Sequence, residues 1–152
     1  MRREEKEIRD PREIEAILAA GKVCRLALAD GGEPYLVPLN YGYRERTLYF
    51  HSAPEGRKVE MIRRNRRVCF QVDVDSEIVV AGKACGWGAR YRSVIGYGNA
   101  EIVNDPDEKR KALDVLMAQY GEGPFTYDDG PVDAMVIIRV DVESWTGKKS
   151  KV

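Results

Sequence analysis

The stretch Tyr49-Phe50-His51-Ser52-Ala53-Pro54-Glu55-Gly56-Arg57-Lys58 decides how this chain is read. An apolar run, Thr47 to Phe50, ends at the only histidine in the sequence, and a short helix from Pro54 to about Asn65 is expected after it. A helix N-terminus offers unpaired N–H groups and a partial positive charge, so it favours an anion. Arg57 and Lys58 add two full charges on the first turn, Ser52 adds a hydroxyl, and Gly56 leaves the backbone open to approach. The spacing describes a phosphate pocket beside an imidazole. A lone histidine at a strand end is more often structural than catalytic; its neighbours are what make this one a candidate.

Helices flank this stretch on both sides. Asp10-Pro11-Arg12-Glu13 and Asp105-Pro106-Asp107-Glu108 each place Asp at the N-cap, Pro at the first helical position and Glu at the third. The first helix presents Ile14, Ile17 and Leu18 on one face and is expected to stop at Gly21; the second presents Leu113, Leu116, Met117 and Tyr120 and is expected to stop at Gly121. Six strand-like runs lie between and after them: 23–29, 35–43, 47–50, 68–73, 91–103 and 134–143. Gly96 and Gly98 within the fifth run predict a bend or bulge. Residues 75–90 read as the least regular internal stretch, and 121–131 as a Gly/Pro/Asp loop. Short connections between six strands predict a mainly β fold with helices, a small barrel, in a single domain spanning 1–152.

Charge excludes one class of partner. Lys and Arg total 25 and Asp and Glu total 25, so the chain has no basic excess with which to hold nucleic acid. A net charge of zero also gives little repulsion between copies, which is compatible with an oligomer. Cys24, Cys69 and Cys85 are odd in number and form no C-x-x-C pair, as expected of reduced thiols in the cytoplasm. The N-terminus carries no apolar leader and no run is long enough to span a membrane, so a soluble, unexported protein is expected. One histidine with scattered cysteines makes a multi-ligand metal site improbable, and no G-x-S-x-G elbow supplies a serine nucleophile.

Three further stretches carry candidate chemistry. In Tyr35-Leu36-Val37-Pro38-Leu39-Asn40-Tyr41, proline inside a strand-like run marks an edge, and Asn40 offers an amide in an apolar, aromatic setting. That amide suits the polar edge of a heteroaromatic ring, although a core strand with an edge proline explains the run equally well. In Tyr91-Arg92-Ser93-Val94-Ile95-Gly96-Tyr97-Gly98, polar Arg92 and Ser93 open an apolar strand. In Trp145-Thr146-Gly147-Lys148-Lys149-Ser150, a tryptophan sits beside a basic tail that could close over a ligand or hang free.

In this order, the four stretches resemble the pyridoxamine 5'-phosphate oxidase-like FMN-binding split-barrel proteins, and within them the nitroimidazole-resistance branch. The resemblance is carried by Val37 to Tyr43, Leu48 to Ala53 with Gly56-Arg57-Lys58, Tyr91 to Gly98 with Ala100-Glu101, and Thr146-Gly147-Lys148. It implies a six-stranded antiparallel split β-barrel and a homodimer with FMN at the subunit interface. Arg57 and Lys58 would bind the FMN phosphate, with Ser52 and the backbone near Gly56. Val37, Pro38, Leu39 and Asn40 would lie along the isoalloxazine, Ser93 and Arg92 would contact it, and Trp145 and Lys148 would close the site from the partner. His51 would stand beside the flavin as the proton donor or orienting group. The arginine and histidine that pyridoxamine phosphate oxidases use near their C-terminus have no counterpart after Gly147, which argues against vitamin B6 oxidation.

The reading that follows is a cytoplasmic FMN flavoprotein that takes electrons from NAD(P)H and passes them to a small nitroaromatic or quinone-like acceptor. Two alternatives stand beside it: a deazaflavin (F420)-dependent reductase on the same barrel, and a non-catalytic flavin- or haem-binding module with His51 as axial ligand.

Overall fold

A computed structural model describes residues 3–151. Its elements run β1 (Glu7–Ile8), α1 (Pro11–Ala20), β2 (Cys24–Asp30), β3 (Glu33–Leu39), β4 (Gly42–Arg44), β5 (Thr47–Ser52), α2 (Arg57–Arg64), β6 (Arg67–Val79), β7 (Gly88–Val103), α3 (Pro106–Ala118), α4 (Asp129–Asp133) and β8 (Val136–Ser150). One antiparallel sheet takes the order β3-β2-β6-β7-β8-β5-β4, with β1 added on β8. The sheet curls around a core of Leu26, Phe50, Phe70, Val72, Val94, Ile138 and Val140, plugged by Ile14, Ile17 and Leu18 of α1. A smaller core gathers Ala112 and Leu113 of α3, Val132 of α4 and Ile137 of β8.

The six expected strands are eight, and the barrel does not close. The run 35–43 breaks at Asn40-Tyr41 because Tyr41 leaves the ladder. It is fully buried, its hydroxyl donates to the Leu18 carbonyl at 2.5 Å, and its own N–H donates to the Tyr120 hydroxyl at 2.9 Å. Tertiary partners thus satisfy the backbone where pairing is interrupted. β3 and β4 become the two edges of the sheet, and among the described residues no ladder joins them. Proline at 38 does mark an edge strand, and Pro34 stands four residues earlier on the same strand.

Other expectations need correcting. Half of residues 75–90 are strand: β6 runs to Val79, with a register shift between Val74 and Glu77, and β7 begins at Gly88. The last residues, 146–150, are not a free tail, because β8 continues to Ser150 with Tyr91↔Ser150 on one side and Glu7↔Lys148 on the other. The segment 121–131 ends in α4 rather than a simple loop, and α3 stops at Ala118 instead of reaching Gly121. The two Asp caps hold as read: Asp10 accepts from Arg12 N and Asp105 from Glu108 N, each at 2.9 Å. α2 begins at Arg57 rather than Pro54.

The glycines of β7 serve close packing and a bulge. A Cβ on Gly96 would lie 2.2 Å from the Phe70 ring and 2.8 Å from the Ser144 carbonyl. At Gly98 the register with β8 shifts between Tyr97 and Gly98, the bulge expected there. Gly96→Ala should therefore destabilise by about 1–3 kcal/mol through overpacking. Thermal unfolding checks it, with a fall of roughly 2–4 °C per kcal/mol for a chain of this size.

Candidate functional site

The basic pair sits where the sequence places it. Arg57 and Lys58 are the first two residues of α2, whose N-cap, Gly56, has φ 115° and supplies no side-chain cap. That φ lies in the region that disfavours side chains, and a Cβ on Gly56 would meet nothing within 4 Å. The backbone at the start of α2 thus has open space beside Gly56 and no side chain capping it. Lys58 is half-buried and has no carboxylate within ion-pair distance among the described residues, while burial lowers its pKa from the usual 10.5. A partly desolvated, unpaired ammonium beside uncapped helical N–H groups is a donor set that fits a phosphate monoester.

Arg57 points to β3. Its guanidinium carbon lies 4.4 Å from the centre of the Tyr35 ring, and Nη2 is 3.7 Å from Glu33 Oε1. The far end of α2 is tied to the same hairpin: Arg64 Nε donates to Asp30 at 2.6 Å and Asn65 Nδ2 to the Ala29 carbonyl at 2.9 Å. Arg66 and Arg67, just after α2, pair with Glu101 and Glu143.

β5 carries the histidine. Leu48, Phe50 and Ser52 point into the barrel, so His51 points out with Tyr49 and is exposed. It pairs with Ile137 of β8 in register, and no hydrogen bond fixes its ring among the described residues. Ser52 is buried, and its hydroxyl donates to the Ala53 carbonyl at 3.0 Å, so its proton is already committed locally. Val37 and Leu39 face the core, whereas Pro38 faces out. Asn40 is exposed at the end of β3 and donates to the Lys22 carbonyl at 3.1 Å. Its amide N–H is thus used to hold the β3 end against the start of β2, leaving the carbonyl oxygen outward-capable.

The second group of candidates lies elsewhere on the sheet. Ser93 of β7 is flanked in register by Asp73 and Lys148. It also lines a cleft of about 560 Å³ with Gln71, Asp73, Ile78, Arg90 and Tyr91. Asp73 in that row is held ionised by hydrogen bonds from Gln71, Ser76 and Arg25, which lower its pKa. Lys148 Nζ stands 5.9 Å from the centre of the Tyr91 ring. Arg92 is engaged by Asp75, whose φ of 58° belongs to the bulge of β6. Trp145 packs against the main core, and the Arg46 guanidinium covers its ring at 3.9 Å.

One chain does not gather all these residues. His51 pairs with Ile137 and Ser93 with Lys148, eleven positions further along β8. At ~3.3 Å per residue this is roughly 35 Å of strand. The structure brings together Arg57, Lys58 and Gly56 at the α2 start beside the end of β5, and separately Ser93, Lys148 and Tyr91. It also adds Tyr35 and Glu33, which the sequence pattern did not single out as site residues. Their signal was the two-residue period of β3, which sets 33 and 35 on one face.

An antiparallel sheet curled around one core and left open between β3 and β4, with a basic helix start beside the opening, is a split barrel of the pyridoxamine 5'-phosphate oxidase type. The chain belongs to the pyridoxamine 5'-phosphate oxidase family, whose sequence model matches residues 10–149. A candidate 5-nitroimidazole antibiotic resistance protein from Bacteroides thetaiotaomicron is 38% identical, with a TM-score of 0.83 over 93% of this chain and 85% of that one. This similarity puts the chain in the nitroimidazole-resistance branch. An FAD-binding protein from Mesorhizobium loti is 30% identical, with a TM-score of 0.69 over 93% of this chain and 96% of that one. An uncharacterised protein of Rhizobium meliloti (strain 1021) is 37% identical over 60 residues, a match spanning 40% of this chain and only 39% of that protein's length. No helix among the described residues is long and apolar enough to cross a membrane.

Proposed function

We propose that this chain is an FMN-dependent reductase, acting in the cytoplasm as a homodimer, that takes electrons from NAD(P)H and delivers them to a small nitroaromatic or quinone-like acceptor. The observation that carries the reading is the Arg57–Lys58 pair on an uncapped helix start beside His51. Similarity to a candidate nitroimidazole resistance protein and to an FAD-binding protein supports a flavin as the ligand. A bound flavin supplies the electron transfer, so the protein has to hold it, orient its ring and manage protons.

Each residue then has a task. Arg57, Lys58 and the N–H groups after Gly56 hold the phosphate. Pro38 and Asn40, at the outward end of β3, meet the edge of the ring. His51, exposed and with no hydrogen bond to its ring among the described residues, delivers a proton to the reduced acceptor.

A second copy supplies Ser93, Lys148 and Trp145, because the length of β8 keeps them from the His51 end of their own chain. An exposed apolar strip on the outer sheet face supports that assembly. Leu36 (60% exposed) and Tyr97 (46%) lie in one register row across β3, β2, β6 and β7, with Ala27 and Cys69 between them and Ile95 (46%) two residues from Tyr97. Burying such a strip is the usual role of a contiguous apolar patch.

The visible spectrum of the purified protein, before and after NADPH, is the first test. Flavin bands that bleach with NADPH and recover with a nitroaromatic acceptor are expected; protein that is colourless and takes up no added FMN sinks the proposal. A Soret band lost in His51→Ala would point to haem, and reduction by F420 alone to the deazaflavin alternative. His51→Gln should lower kcat by roughly 10²-fold or more, the scale of positioned proton transfer, with FMN affinity unchanged. Steady-state kinetics beside flavin titration separates the two effects.

A further inference from the structure

We infer that Tyr35 and Glu33 belong to the phosphate site: Tyr35 is the platform that positions the Arg57 guanidinium, and Glu33 is the carboxylate that a phosphate must displace from it. The inference rests on the phosphate-site reading above and assigns roles to two residues on the strand opposite α2.

The geometry is specific. Glu33 and Tyr35 sit two apart on β3, so both side chains leave the same face of an edge strand. Arg57 reaches that face from the first turn of α2, with Cζ 4.4 Å from the Tyr35 ring centre. A guanidinium held over an aromatic face keeps its N–H edge free, and the stack restricts a long, flexible side chain to one region. Tyr35 is itself held, packed against the barrel core and paired with Leu28 of β2. It therefore offers a fixed support where Arg57 alone would sample many rotamers. Lys58, the other cation of the pair, has no such support and no carboxylate within ion-pair distance among the described residues.

Glu33 acts in the opposite sense. Its carboxylate is 3.7 Å from Arg57 Nη2 in an arrangement where both groups are largely exposed, so the contact is weak and easily exchanged. It satisfies Arg57 in the free protein. A phosphate dianion arriving at the α2 start competes for the same N–H groups, and Glu33 then stands as a like charge beside it. The strand that Asp30-Gly31-Gly32 turns back onto α2 thus sets how strongly the basic pair holds an anion.

The test is a double-mutant cycle read by FMN fluorescence quenching. Tyr35→Leu should weaken FMN binding roughly 3- to 10-fold, the range of a cation–π contact, while Tyr35→Phe retains wild-type affinity. In an Arg57→Ala background Tyr35→Leu should have no further effect, because the residue acts through Arg57. Glu33→Gln, on an exposed side chain that leaves folding untouched, should tighten FMN about 2- to 5-fold. Additive effects of Tyr35→Leu and Arg57→Ala, or weaker binding in Glu33→Gln, overturn the inference while leaving the phosphate site standing. Arg57→Ala with unchanged FMN affinity overturns the phosphate site itself. Thermal melts of each variant exclude simple unfolding as the cause.

Discussion

Replacing Arg57 and Lys58 together by alanine is expected to weaken FMN binding by about 3–6 kcal/mol, since a hydrogen bond to a charged group contributes ~1.5–3 kcal/mol and two are lost. That is roughly a 10²- to 10⁴-fold rise in Kd. Neither side chain supports the core: Arg57 is exposed and Lys58 half-buried. The melting temperature of the flavin-free protein should hardly move. Isothermal titration with FMN and with riboflavin checks the assignment, because only the phosphate-bearing ligand should respond. Equal losses for both ligands would place the pair against the ring instead.

The same pair makes affinity depend on pH with a definite sign. Lys58 holds an anion only as the ammonium, and burial has lowered its pKa from 10.5. FMN affinity should therefore fall on the alkaline side, beginning at a lower pH than an ordinary lysine would dictate. Without ligand the linkage runs the other way. Above the lowered pKa the folded chain binds fewer protons at Lys58 than the unfolded chain, so this residue adds stability as pH rises toward 10.5. Lys58→Met should flatten both dependences.

The second large effect concerns Gln119. Its Nε2 donates to the carbonyls of Leu18 at 2.9 Å, Ala19 at 2.9 Å and Gly21 at 2.8 Å, while Oε1 accepts from Tyr43 N at 3.2 Å. One buried amide thus satisfies the orphan carbonyls ending α1 and a backbone donor of β4. Gln119→Leu keeps the volume and strands the Ala19 and Gly21 carbonyls and the Tyr43 N–H, while the Tyr41 hydroxyl still serves the Leu18 carbonyl. A cost of about 2–4 kcal/mol is expected, since each buried polar group left unpaired costs ~1–3 kcal/mol. The melting temperature should drop by roughly 4–16 °C. Differential scanning calorimetry of the flavin-free protein decides it. Because Asn40 and Tyr41 begin the opening between β3 and β4, FMN affinity should weaken in the same variant.

How far the sequence carried depends on whether a residue's fate was local. The Asp-Pro-x-Glu starts of α1 and α3 were legible because a cap is made with neighbours in the chain. The basic pair on the first turn of α2 was legible because it follows the strand end in the chain, but the start itself lies at Arg57 rather than Pro54 because no side chain caps it earlier. Tyr41 was not: its break from the ladder depends on Leu18 and Tyr120, far away in sequence. Thr146 to Ser150 has no strand-like alternation, and only pairing with β1 and β7 makes it extended. Arg92 was read toward a ligand, but a carboxylate that reaches it only through the β6 bulge holds it. Tyr35 opened, and Glu33 just preceded, a stretch whose marked chemistry was Pro38 and Asn40.

The proline pattern of β3 also bears on how this protein avoids aggregating. Leaving a barrel unclosed exposes a strand edge, and a free edge can recruit strands from other molecules. Along β3, residues 34, 36 and 38 share one side of the backbone, and two of these three positions are proline. Proline is tolerated in a paired strand where its nitrogen faces away from the partner, here away from β2. The outer edge therefore offers a single amide donor, Leu36 N–H, where an ordinary strand would offer three. A foreign strand finds few hydrogen bonds along this edge, so the unclosed barrel is a poor template for a fibril.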